Sequence, residues 1–130
     1  MGFVARFIKP IMIISGGLTM TMVYAALAPQ AALTSMFGET LTGPLAEIIV
    51  RNWGALIAIG GATLIWGALV PVVRTQVLLA VGVSKLVFIG LVQGFGRQYL
   101  SGQAGLAIGL DAVCVLLFAL YLLESQRRGL

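Results

Sequence analysis

The sequence predicts an all-α protein, an integral membrane four-helix bundle with both termini in the cytoplasm, and three observations carry this reading. The 130 residues are 60% hydrophobic and only 9% charged, with a mean hydropathy of +1.08. A water-soluble domain carries about 25% charged residues, so this chain has too few charges to cover a surface facing water. Its apolar runs also reach the roughly 20 residues that a helix needs to cross the hydrocarbon layer. Finally, its basic residues gather at alternate run ends, the pattern that sets orientation in a bilayer.

At that length per crossing, with short loops, four helices use up the chain as a single domain. The spans fall at about 7–28, 45–70, 76–95 and 104–123. Basic residues precede the first run, as in a signal peptide, but the run from Phe7 to Leu27 exceeds a signal core and reads as a retained span.

The first span carries Arg6 and Lys9 at its start, with Pro10 placed in its opening turn, where a missing N–H does no harm. Its middle is small and weakly polar. Ser15 with Thr19, and Gly17 with Thr21, are small residues four apart, the spacing that allows close helix approach in lipid. The alternative is that the threonines line a polar pocket. From Pro29 to Pro44 runs the longest connection, with one short surface helix expected around 31–37 and Met36 and Phe37 at headgroup level. A connection of this length is either functional or a cap over the bundle.

The second span opens with Glu47 and Arg51 four apart, acid first, on one face. Asn52 and Trp53 sit beside Arg51. Either this is an interfacial belt with Arg51 reaching toward the headgroups, or it is a polar pocket at the mouth of the bundle. Gly54, Ala58 and Ala62 form a small-residue stripe expected to be a packing seam, and Trp66 is a second aromatic anchor. A tight turn from Pro71 to Thr75 carries Arg74.

The third span holds the chain's most demanding residue. The run QVLLAVGVSKLVFIGLVQ, from Gln76 to Gln93, places Lys85 at its midpoint. A charge at the bilayer centre costs at least about 2.5–3.5 kcal/mol, so Lys85 needs a partner, a wet cavity or a route outward. The hairpin that follows, Gly94 to Gly105, is glycine-rich, yet it lacks a preceding strand and the GK[ST] of a phosphate loop. It reads as a surface hairpin, with Tyr99 at the interface and Arg97 free to meet lipid phosphate or the mouth of the bundle. In the fourth span Gly105 and Gly109 make a GxxxG, and Asp111 lies about two turns in. The span ends with Glu124, Arg127 and Arg128.

Arg6, Lys9, Arg74, Arg127 and Arg128 fall on one side of this arrangement and Arg97 on the other, with Arg51 partly inserted. The positive-inside rule then places both termini and the 71–75 turn in the cytoplasm. Depth follows from the 1.5 Å helical rise. Lys85 lies about 16 Å, and Asp111 about 10 Å, from the outer ends of their helices. A lysine side chain spans the remaining ~6 Å, which predicts a Lys85–Asp111 pair. Depth alone also lets Arg51 reach Asp111, with Glu47 pairing to Arg51 or Arg97. The candidate site is thus Glu47, Arg51, Asn52, Lys85, Asp111 and Arg97, acting either as a ligand-binding pocket or as a structural ion-pair cluster.

The net charge of +4 does not point to nucleic acid, because the basic residues sit at helix ends. There is no histidine and a single cysteine, Cys114, inside a span, so no thiolate metal cluster and no intrachain disulfide form. Membrane lipids are the expected surroundings, with a homo-oligomer or a partner membrane protein as the expected assembly. No metal or tightly held cofactor is called for, and a lipid or quinone is the candidate ligand.

Several short stretches resemble the small four-helix membrane proteins of the DoxX-like type. They are the Pro29 loop, Met36-Phe37-Gly38, Gly43-Pro44, Arg51-Asn52-Trp53-Gly54, Val70-Pro71 with Arg74, and Ser84-Lys85 with Phe88. The resemblance implies a four-helix bundle in the cytoplasmic membrane. Some members are subunits of quinone-linked sulfur-oxidising or oxidative-stress complexes. It carries no catalytic motif onto named residues, and the lack of histidine and of a paired cysteine argues against redox chemistry by this chain itself. Three functions therefore compete. One is an accessory or binding subunit. Another is a lipid or isoprenoid enzyme with Asp111 as acid/base and Lys85 or Arg51 stabilising charge. The third is an oligomeric transporter or channel.

Overall fold

Four helices of the chain are long and apolar enough to cross a membrane, at Arg6–Leu27, Pro44–Leu69, Pro71–Phe95 and Gln103–Gln126. The computed structural model describes residues 3–127, which are helical with no strand among them. The helices are α1 (Phe3–Met20), α2 (Val23–Leu27), α3 (Pro29–Phe37), α4 (Pro44–Leu69), α5 (Arg74–Phe95) and α6 (Gln103–Arg127). Short 3-10 turns at Pro71–Val73 and Arg97–Tyr99 connect α4 to α5 and α5 to α6. Between 11% and 28% of the residues in each apolar stretch are buried, so most of each helix surface faces away from the bundle. That outward surface is leucine, isoleucine and valine. It suits hydrocarbon, where the same residues in water would invite association.

The helices form a ring. The α1–α2 pair packs on α4, α4 on α5, α5 on α6, and α6 back on α1. The α1–α4 seam is the closest contact in the molecule. A Cβ added at Gly16 would lie 2.6 Å from the Gly61 carbonyl, so no larger residue fits there without moving backbone. At Gly54 an added Cβ would meet Ala25 at 2.7 Å. In lipid, such backbone approach replaces the hydrophobic drive that packs helices in water.

Three seams expected from spacing are relocated by the structure. On α4 the buried small residues are Gly54, Gly61, Gly67 and Ala68, while Ala62 is exposed and Ala58 half-buried. The spacing between Gly54, Gly61 and Ala68 is seven residues, because the two helices stay in contact over several turns and a strict four-residue repeat rotates off the seam. On α1, Gly17 and Thr21 are exposed, and Gly16 makes the contact instead. On α6, a Cβ added at Gly109 would meet nothing within 4 Å, and one at Gly105 would run into the Leu100 carbonyl of its own turn. Gly105 therefore serves the hairpin and not a helix pair.

The first span is not one continuous helix. At Thr21 and Met22 the backbone bonds shift to three-residue spacing, Thr21 N–H to Leu18 O and Met22 N–H to Thr19 O, both at 3.2 Å. The Thr21 hydroxyl also donates to the Leu18 carbonyl, which draws that carbonyl out of the regular ladder. Pro10 lies inside α1, and not in its first turn, because the helix already runs from Phe3.

The apolar core fills one half of the bundle. Val4, Ile8 and Met12 of α1 meet Leu64 and Ala68 of α4, Val77, Leu78 and Val81 of α5, and Phe118 of α6. The other half is closed by α3, which buries Ala32, Leu33 and Met36 against the bundle. Met36 thus packs inward, against the bundle. Gly38 ends α3 in the left-handed conformation at φ 73°, where a residue with a side chain is strained.

Candidate functional site

Lys85 stands on the inward face of α5 and is 8% exposed. Its ammonium lies 2.7 Å from Asp111 Oδ1 on α6. It also donates to Thr19 Oγ1 on α1 at 3.2 Å. One nitrogen thus ties three helices together, reaching across the ring to α1 as well as sideways to α6. The Thr19 hydroxyl donates in turn to the Ser15 carbonyl at 2.7 Å, which leaves its lone pairs for the ammonium. Ser15 donates to Ile11 O at 2.8 Å, so the polar stretch of α1 is satisfied along its own helix. Thr19 was legible in the sequence only as one of several small polar residues. Its selection depends on the rotation of α1 just before the Thr21 break.

Among the described residues, no buried side-chain nitrogen or oxygen lacks a hydrogen-bond partner. The Asp111 side chain keeps 20% of its surface accessible, against 9% for Lys85. Cys114 lies one turn further along α6, half-buried against the apolar core.

The remaining charges expected at the site lie elsewhere, and the single cluster allowed by depth is two separate pairs. Arg51 is exposed and 3.6 Å from Glu47, both on α4, with side chains 48% and 45% accessible. Its Nη1 donates to the Ala26 carbonyl at 2.6 Å. Ala26 is in the last turn of α2, where carbonyls lack intrahelical donors and carry the negative end of the helix dipole. Arg51 therefore caps α2 and does not approach Asp111. Asn52 and Arg97 are exposed and join neither pair. Helix rotation explains this outcome, since equal depth brings two side chains together only if both face the same seam.

Arg74 plays a second capping role that the sequence concealed. Its Nε donates to Gly67 O at 3.0 Å and its Nη2 to Ala68 O at 2.8 Å, closing the end of α4 across the Pro71–Val73 turn. At the α3 end, polar contacts stitch the connections together. Ser35 donates to Gln103 Oε1 at 2.7 Å. The Phe37 ring meets Tyr99 edge-on at 5.1 Å and Trp53 at 6.2 Å. The Glu39 carboxylate accepts from the Tyr99 phenol and disfavours the phenolate, which raises the tyrosine pKa above its ordinary value. A half-open groove of about 250 Å³ lies between α3 and the 98–102 turn. Among the described residues, no group of three His, Cys, Asp or Glu side chains could hold a metal ion.

No known protein family, curated protein or solved structure matches this chain.

Proposed function

We propose that the chain is a small membrane-embedded accessory or binding subunit, oriented with both termini in the cytoplasm, whose intramembrane polar site is built on Lys85 and Asp111. The observation that carries this reading is the enclosed pair itself. A lysine and an aspartate meet at 2.7 Å between apolar helices, with Thr19 of a third helix also on the ammonium. Ionisable residues inside membrane spans are costly, and they concentrate where a ligand or an ion is handled. The positive-inside asymmetry of Arg6, Lys9 and Arg74 against Arg97 supports the orientation. Arg127 and Arg128 belong to the same count, although Arg128 lies outside the described residues. A lipid or quinone ligand and membership of the DoxX-like group belong to the same proposal, supported by the short motif resemblance.

Binding is favoured over acid–base catalysis, because Asp111 is already engaged by the Lys85 ammonium at 2.7 Å. The wide apolar surface of each helix also leaves room for a partner subunit.

Native mass spectrometry of the protein extracted from its own membrane with its surrounding lipid tests the reading. A stoichiometric lipid-soluble molecule or partner chain, lost on mild delipidation, is the expected result. A bare chain with only exchangeable bulk lipid, in every extraction, would overturn it.

A further inference from the structure

We infer that the groove between α3 and the 98–102 turn holds the primary ammonium of an aminophospholipid head, drawn from the surrounding membrane, with Arg97 on the adjoining phosphate. This site is separate from the Lys85–Asp111 pair and does not depend on it. Position is the first argument. The groove is lined from residues 34–38 and from the 98–102 turn, and both stretches fall in connections between the helices long enough to cross a membrane. Headgroups lie at that level, just beyond the hydrocarbon layer. The volume of about 250 Å³ is below the roughly 300–1,000 Å³ of pockets for drug-sized ligands, and it suits a small head. Phe95 and Leu106, on the two sides of the turn in sequence, are 85% and 66% exposed and offer an apolar surface to acyl chains.

Polarity is the second argument, and it selects a cation. The Thr34 hydroxyl donates to the Gln30 carbonyl at 3.0 Å, and the Ser35 hydroxyl to Gln103 Oε1 at 2.7 Å. Both spend their protons within the protein, so each meets a ligand as an acceptor. The Tyr99 phenol likewise gives its proton to Glu39, whose carboxylate follows the Gly38 cap and adds a full negative charge beside the groove. The Met36 carbonyl, in the last turn of α3, faces Gly102 across the groove, 3.6 Å from where a Cβ on that glycine would stand. This end of the helix is the negative pole of its dipole. The Phe37 and Tyr99 rings, edge-on at 5.1 Å, add aromatic surface that attracts an ammonium. No lysine or arginine lines the groove. Arg97 precedes Gln98 at its edge and is exposed, the place for the phosphate that a lipid head carries beside its amine. A primary ammonium donates three hydrogen bonds to such a set of oxygens, whereas the trimethylated head of a choline lipid donates none.

The test is a native mass spectrometry titration of the full chain with four dioleoyl lipids that differ only in the head. They are phosphatidylethanolamine, its N-acetyl derivative, phosphatidylcholine and phosphatidylglycerol. Phosphatidylethanolamine should bind about tenfold more tightly than each of the others, the factor that one hydrogen bond to a charged group contributes. Glu39→Gln removes the charge beside the groove, and Gly102→Leu fills the groove at a glycine whose φ is not positive. Each should erase the preference, and neither touches Lys85 or Asp111. If one variant does not fold by circular dichroism, the other and the lipid series on the unaltered chain decide. Equal binding of the four lipids, or choline as tight as ethanolamine, would overturn the inference. So would a preference for phosphatidylethanolamine that the folded variants keep, since the head would then sit elsewhere. Soluble phosphoethanolamine at the same concentration should not displace the lipid; if it does, the ligand is a soluble amine and the membrane source is wrong. The molecule or partner expected at Lys85–Asp111 is scored on protein from its own membrane, so either reading can fail without the other.

Discussion

Two acid–base pairs in this bundle share chemistry and differ in almost everything else. Glu47 and Arg51 lie on one helix, four residues apart, each nearly half accessible and 3.6 Å from its partner. Lys85 and Asp111 come from two helices, are largely enclosed, and meet at 2.7 Å with a third helix supplying Thr19. An exposed lateral pair is worth about 0–1 kcal/mol, since surroundings able to solvate the charges screen it and ordering two long side chains offsets the gain. An enclosed pair is different. Its formation roughly balances desolvation, yet removing one partner strands the other and costs about 3–5 kcal/mol. The lesson is that the residue type does not set the consequence of a mutation; the surroundings of the group left behind do.

The comparison breaks most sharply at Asp111. Asp111→Ala is expected to lower stability by about 3–5 kcal/mol, seen as a large fall in melting temperature by circular dichroism in mild detergent. Lys85→Met combined with Asp111→Leu should recover most of that loss, because neither charge is then stranded. If the double variant is as unstable as the single one, the enclosed pair is not what the single change disrupts.

Thr19→Val is the next step down. It removes one neutral partner of the ammonium and leaves the ion pair, so a loss of about 1 kcal/mol should appear in the same melt. A loss as large as that from Asp111→Ala would mean that Thr19, and not Asp111, compensates the charge.

The exposed pair should then divide into unequal halves. Arg51→Ala loses the bond to the Ala26 carbonyl and should cost about 1 kcal/mol. Glu47→Gln removes only the lateral partner and should stay within about 0.5 kcal/mol. Equal effects from the two changes would contradict the capping role of Arg51.

The smallest effect concerns Tyr99, whose neutral phenol donates to Glu39 and so titrates above its ordinary value. Because the folded-state value is the higher one, this bond is fully present below the unfolded tyrosine pKa of about 10. It is lost as pH rises through the raised value. With Tyr24 and Tyr121 replaced by phenylalanine, the phenolate absorbance of Tyr99 should appear at higher pH than in free tyrosine. Glu39→Gln should bring it down. An unchanged titration after that substitution would show that Glu39 does not hold the phenol.

How far the sequence foretold this arrangement varies with the kind of statement. Four long apolar helices were legible because hydropathy adds up residue by residue, and a bilayer imposes a length. The short helix after Pro29 was legible from its flanking prolines and Gly38. The Lys85–Asp111 contact followed from depth and from a short hairpin that makes α5 and α6 neighbours. The fate of Arg51, Asn52 and Arg97 was not legible, because depth fixes height along a helix and leaves the direction of the side chain open. Each residue turns the helix by about 100°, so a modest rotation carries a side chain from the seam to the surface. The same ignorance of rotation placed a seam on Ala58 and Ala62 that the structure places on Gly61 and Ala68.

By itself the sequence determined the number of helices long and apolar enough to cross a membrane, their approximate ends, and the need of a central ammonium for company. Only the tertiary structure decided that Thr19 joins Asp111 in meeting that need, that Arg51 and Arg74 cap helix ends, and that Gly16 and Gly61 touch. The reason is physical. Burial of apolar length is a local sum over neighbouring residues, whereas a hydrogen bond between helices requires that two or three separate rotations agree at one point in space.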